Sequence, residues 1–133
     1  MSDVDRARDL LAMANRDLLA LKGMLDPGVF AREIFGFHAQ QAIEKSLKAW
    51  IVALGREYSF THNIIALLDE VASAGGNVDS FWGLVKYNAF AVQFRYEQFD
   101  DTQDDLDRSE AIREVSELTA CVKGVLNGAP AAE

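Results

Sequence analysis

Val4, Ala7, Leu11, Ala14, Leu18, Leu21 and Leu25 recur at three- and four-residue intervals without a miss. That period lays them along one side of a helix, and Leu10, Met13 and Met24 widen the stripe. A helix with one apolar side must bury it against other elements, so the opening stretch already commits the chain to helix packing. Ser2 or Asp3 can cap its start, Asp5 favours the positive end of the helix dipole, and the helix is expected to stop near Leu25.

The same reading extends along the chain. Asp26-Pro27 has the form of a cap followed by proline at a first helical position, which opens a second helix over about 27–54. Phe30, Ile34, Phe37, Ile43, Leu47, Trp50, Ile51 and Leu54 form its apolar set. Gly36 inside it costs up to ~1 kcal/mol relative to alanine and points to a close neighbour or a bend. Gly55 is suited to end it. After a loop over 56–62, capped by Thr61, a short third helix carries Ile64, Ile65, Leu67, Leu68 and Val71 and stops at Gly75-Gly76. A fourth is expected from Asp79 or Ser80, with Phe81, Leu84, Val85, Tyr87, Phe90, Ala91 and Phe94. The last covers about 105–126, with Leu106, Ile112, Val115, Leu118, Cys121, Val122 and Val125 inward, and ends at Asn127-Gly128. No stretch alternates apolar and polar residues for long. The fold class is therefore all-α, an up-and-down antiparallel helical bundle of four to five helices.

With 133 residues, two prolines, nine glycines and no linker-like run, residues 1–133 read as one domain, frayed over about 128–133. The opening MSDVDRARD is charged and lacks an apolar core, so no signal peptide is expected. No run approaches the ~20 apolar residues of a membrane span. Cys121 is the single cysteine, which rules out an intramolecular disulfide and a multi-thiolate zinc site. It suits a small buried position and a reducing, cytoplasmic compartment. No cofactor motif occurs. The aspartates at 100, 101, 104, 105 and 107 lack the glycine and the closing glutamate of a calcium loop, and no metal site is expected. The net charge of −8 argues against broad nucleic-acid binding, which needs clustered cations. It leaves room for a local anion site near the middle of the chain.

The most unusual local sequence is Phe37-His38-Ala39-Gln40-Gln41-Ala42-Ile43-Glu44-Lys45-Ser46-Leu47-Lys48-Ala49, followed by Tyr58, then Thr61-His62-Asn63-Ile64 and Leu67-Leu68. This arrangement resembles the HEPN domain family, whose signature is similar to FHAxQAxEKxLKA, a loop, then THxI and LL. Ala14 with Asp17-Leu18, and Arg95-Tyr96, also fit the family pattern. The resemblance covers roughly residues 5–125. It implies a helical bundle that forms homodimers, with a minimal nucleotidyltransferase as a partner. Several branches are metal-independent ribonucleases, some of them toxins, whose motif is an Arg, four to six residues, then a His, in the later part of the bundle. This sequence departs from that motif: its only histidines are His38 and His62, and none follows Arg95. Arg32 and His38 have the right separation but lie on the second helix, about 120° apart around its axis unless Gly36 bends the chain.

The candidate ligand-binding residues are His38, Gln41, Lys45, Lys48, His62, Arg95 and Tyr96. His38, Gln41, Lys45 and Lys48 follow one another at three, four and three residues, which gives one polar stripe. It reads as a groove for an anionic ligand or as a solvated face with a Gln41–Lys45 pair. His38 reads as a phosphate or base contact near neutral pH, or as a hydrogen bond between helices. His62 lies at a helix start, where amides can hold an anion, or belongs to a capping turn with Thr61 and Asn63. Arg95 can present a fork to phosphate with Tyr96 stacked on a base, or complement the helix dipole. The expected function is a dimeric nucleotide- or partner-binding module, with a nucleotide or RNA as candidate ligand and no membrane partner. The alternative is a metal-independent endoribonuclease of toxin or defence type.

Overall fold

The computed structural model describes residues 2–91 and 106–128, and these form an all-helical bundle. Helix α1 is Asp3–Gly23, α2 Arg32–Ala53, α3 Ile64–Ser73 and α4 Arg108–Leu126, with a 3-10 helix over Trp82–Phe90 between α3 and α4. No strand occurs among the described residues.

Helix α1 follows the sequence reading. The Ser2 hydroxyl accepts from the Asp5 amide, and Ala7, Leu11, Ala14, Leu18 and Leu21 are buried. The two ends of the stripe fall away: Val4 is exposed, and Leu25 lies beyond the helix and is exposed too. Helix α2 is the central element, with most of its 22 residues buried. It packs against α1, α4, α3 and the 3-10 helix.

Helix α2 does not begin at Pro27. Asp26 makes a tight turn instead, with its carboxylate on the Gly28 amide and its carbonyl on the amides of Val29 and Phe30. Ala31 is extended, and the helix starts at Arg32 without a side-chain cap. The cause lies at the other end of the sequence. Arg108 is buried at the start of α4 and donates to the carbonyl oxygens of Met24 and Phe30, each at 2.8 Å, with its guanidinium 5.1 Å from the Phe35 ring centre. Those carbonyls are the ones that the end of α1 and the break at Ala31 leave without helical partners. The same contacts fix direction: α4 starts where α1 ends and α2 begins, so α1 runs against both.

The expected fourth helix is a 3-10 helix from Trp82 to Phe90, with Leu84, Tyr87 and Phe90 as its buried residues. Their spacing is three, which stacks side chains on one line when there are three residues per turn. Phe94, placed on that helix in the sequence, lies outside the described residues. The last helix starts at Arg108, capped by Asp107, three residues later than expected. Asn63 rather than Thr61 caps α3, and Asn88 adds a second cap by accepting from the Ile64 amide at 2.8 Å.

Gly36 does mark a close approach. A Cβ there would collide with the ring of Phe90, so the side of α2 without a side chain is filled by the chain's own 3-10 helix. Trp50 packs edge-on against Phe81, with ring centres 5.9 Å apart. Trp82 stays 40% exposed. Cys121 is half-buried, and burial pushes its thiol up from the ordinary range.

Candidate functional site

Burying Glu44 and Lys48 in the middle of the central helix is costly unless each finds a charged or hydrogen-bonding partner. They find each other one helical turn apart. Lys48 Nζ lies 2.9 Å from Glu44 Oε2, with side chains 11% and 7% exposed. The remaining capacity of the carboxylate is also used. Gln40 Nε2 donates to Glu44 Oε1 at 3.0 Å, and His62 Nδ1 lies 2.8 Å from the same oxygen. Burial alone would raise the Glu44 carboxyl, but the bonds from Lys48, Gln40 and His62 outweigh it and hold the group below its ordinary value. The Gln40 amide also reaches the His62 carbonyl at 3.0 Å, and Lys48 Nζ sits 5.0 Å from the Tyr58 ring centre. Together these contacts pin the loop between α2 and α3 onto α2.

A second group with the same composition joins α2 to α1. Asp17 Oδ1 lies 3.0 Å from His38 Nδ1, and Asp17 Oδ2 lies 2.8 Å from Lys45 Nζ. Both histidines therefore stand alike: one carboxylate takes the Nδ1 edge of each ring and one lysine shares that carboxylate. In the tautomer whose Nδ1–H donates to the carboxylate, Nε2 is the ring's acceptor. The side chain of His38 is 34% exposed and that of His62 65%.

At about 100° per residue, His38, Lys45, Gln41, Lys48 and Glu44 span about 120° of the α2 circumference. They form a strip with α1 and Asp17 on one edge and the loop carrying Tyr58, Phe60 and His62 on the other. The polar stripe read from the sequence is thus a spatial feature, but not a solvated one, since Lys48 is buried against Glu44 and Tyr58. The expected Gln41–Lys45 pair is not formed. Gln41 Nε2 donates to Gln40 Oε1 at 2.7 Å, and Lys45 goes to Asp17. His38 makes the hydrogen bond between helices that was one of its two readings. His62 lies at the loop edge of the strip, beside the capping turn in which Thr61 Oγ1 accepts from the Asn63 amide. Arg95 and Tyr96 lie outside the described residues.

Sequence reasoning passed over Gln40, Glu44 and Asp17 as members of the site. The signal for Glu44 was present: it lies four residues after Gln40 and four before Lys48, the spacing of side chains that meet on a helix. Asp17 carried no such signal, because its partners sit on another helix.

A separate polar cluster joins the 3-10 helix to α4. The Tyr87 hydroxyl donates to Glu114 Oε1 at 2.8 Å, and Lys86 Nζ lies 3.0 Å from that carboxylate. Burial, then the Glu114 carboxylate, pushes the Tyr87 hydroxyl far above its ordinary range. A cavity of about 300 Å³ opens beside it, lined by Arg32, Phe90 and Glu110 among others. Among the described residues, no group of three metal-ligating side chains occurs, and no helix is long and apolar enough to cross a membrane.

A central helix carrying the FHAxQAxEKxLKA-like run, tied to α1 through Asp17 and to the next loop through His62, defines a helical-bundle domain with a polar strip on its middle helix. The sequence matches the HEPN domain over residues 7–125, and the chain belongs to the HEPN domain family. Neither the curated proteins nor the solved structures give a match.

Proposed function

We propose that the chain is a binding module of the HEPN type, dimeric and cytoplasmic, that works through protein contacts and takes a nucleotidyltransferase-type protein as partner. The pairing of the strip's charges carries this reading. Lys45 and Lys48 are each held within 3 Å by a carboxylate, at 2.8 and 2.9 Å. A polyphosphate would have to displace Asp17 or Glu44 to reach either cation, whereas a protein surface can use the strip's amides, ring edges and imidazole Nε2 atoms as they stand. Within this reading a nucleotide is a secondary ligand, met by His38, Gln41 and His62 from the strip and by Arg95 and Tyr96.

The second reading is an endoribonuclease, favoured by the two partly exposed histidines, each oriented through Nδ1 by a carboxylate. Incubating the purified protein with labelled single-stranded RNA separates the two. The module reading expects no cleavage above that of a His38→Ala, His62→Ala double variant. Cleavage that disappears in the double variant overturns it and establishes the nuclease.

A further inference from the structure

We infer that the groove between α1 and the last turn of α4 takes an acidic peptide segment of a partner protein, with its carboxylates on Arg8 and Lys123. This rests on the reading of the chain as a module that works through protein contacts. It gives one such contact a place away from the α2 strip.

Helix α4 runs against α1, so its end lies beside the first half of α1. Between them a cavity of about 260 Å³ opens to solvent. Leu11 and Ala12 from α1 and Leu126 from α4 give it an apolar lining, and Leu11, only 6% exposed, is its floor. Two cations, Arg8 and Lys123, line it from the two helices, each with a side-chain amide from the same helix, Asn15 and Asn127.

A chain with net charge −8 repels an anion over most of its surface. Lys45, Lys48, Lys86 and Arg113 each face a carboxylate. Among the described residues, neither Arg8 nor Lys123 has an ion-pair partner, and neither the Asn15 nor the Asn127 side chain has a hydrogen-bond partner. The carboxylates next to Arg8 on α1, Asp5 and Asp9, do not line the groove. Lys123 suits the negative end of the α4 dipole. Arg8 has no such reason, since it lies in the second turn of α1, toward the positive end.

The mixture of groups selects the ligand. The cations call for an anion. A side-chain amide offers one donor and one acceptor, the pair that a peptide group presents in return. A phosphate ion has no apolar part to set against Leu11, Ala12 and Leu126, and a fatty acid has no peptide groups for the amides. A peptide with carboxylates beside an apolar side chain meets all three.

Titration of the isotope-labelled full chain, followed through its amide NMR signals, tests the proposal. The probes are acetyl-Glu-Leu-Leu-Glu-amide, its Gln-Leu-Leu-Gln counterpart and inorganic phosphate. The Glu peptide should move the signals of residues 8–15 and 123–127 to saturation, and added salt should weaken it. Its dissociation constant should rise about tenfold in an Arg8→Gln, Lys123→Gln double variant. Arg16→Gln alters an exposed cation on α1 that does not line the groove, and should change it less than about twofold. Arg8 and Lys123 are exposed, so circular dichroism of the double variant should match wild type. The proposal is overturned if these signals stay still, if the Gln peptide moves them as far, or if phosphate alone does. Each of those results leaves the module reading standing, because that reading falls only with RNA cleavage lost in the histidine double variant.

Discussion

Glu44 and Lys48 form a nearly buried ion pair one turn apart on the central helix, 2.9 Å between Oε2 and Nζ. The pair looks inward to hold the loop, so the Lys48 charge, read from the sequence as a ligand contact, is already spent on the protein itself. Replacing both with apolar residues of similar size is far gentler than removing one, because the surviving charge stays buried. Glu44→Leu is expected to cost about 3–5 kcal/mol, and Glu44→Leu with Lys48→Met clearly less than Glu44→Leu alone. Urea unfolding of the two single variants and the double variant measures the coupling. Additive losses would show that the pair is not a unit.

The same carboxylate sets a pH dependence. Its pKa in the folded chain is below the ordinary 4.5. The folded state therefore binds the Glu44 proton more weakly than the unfolded state does. The stabilisation is complete above about 4.5 and is lost as the pH falls through the folded value. Between neutral and acid pH, the wild type should lose more stability than Glu44→Gln, whose side chain does not titrate in that range. Parallel losses in chemical denaturation would show that Glu44 contributes nothing to acid lability.

Gly36 tests the packing of the 3-10 helix. A methyl group there meets the Phe90 ring, and overfilling a packed contact typically costs about 1–3 kcal/mol. Gly36→Ala should lower the unfolding midpoint, and adding Phe90→Leu should recover part of the loss. If Gly36→Ala melts like wild type, the ring moves away without cost and the contact is not tight.

Arg108 serves two carbonyl oxygens with one planar fork, a geometry that a lysine ammonium cannot reproduce. Arg108→Lys should destabilise by about 1.5–3 kcal/mol, the range for a hydrogen bond to a charged group. Amide exchange should quicken over residues 25–31 before it does in α2. Uniform acceleration along α2 would place the role of Arg108 elsewhere.

Where the sequence was readable, the information was local. The α1 stripe, the stop at Gly55, the close approach at Gly36 and the polar run of α2 all depend on spacing within one element. The FHAxQAxEKxLKA-like run identified the family before any geometry did. The errors come from partners far away in the chain. Asp26-Pro27 satisfies the rules for a helix start, yet Arg108 claims the Phe30 carbonyl from 78 residues away and the helix begins at Arg32. Phe81, Leu84, Tyr87 and Phe90 are spaced by three, a 3-10 period that a search for 3.6 absorbs without notice. In the site, the cations were visible and Glu44 was legible from its spacing to Lys48, but Asp17 was not, because it reaches His38 and Lys45 across a helix interface.

The most direct measurement of the central claim is the thermal unfolding midpoint of the wild type over a hundredfold range of protein concentration, with and without ATP, GTP, CTP or UTP. A module that works through protein contacts has a midpoint that rises with its own concentration, because association stabilises only the folded state. Its midpoint should respond far less to any nucleotide. A midpoint independent of protein concentration that climbs with one nucleotide would contradict the account and make the α2 strip a phosphate site.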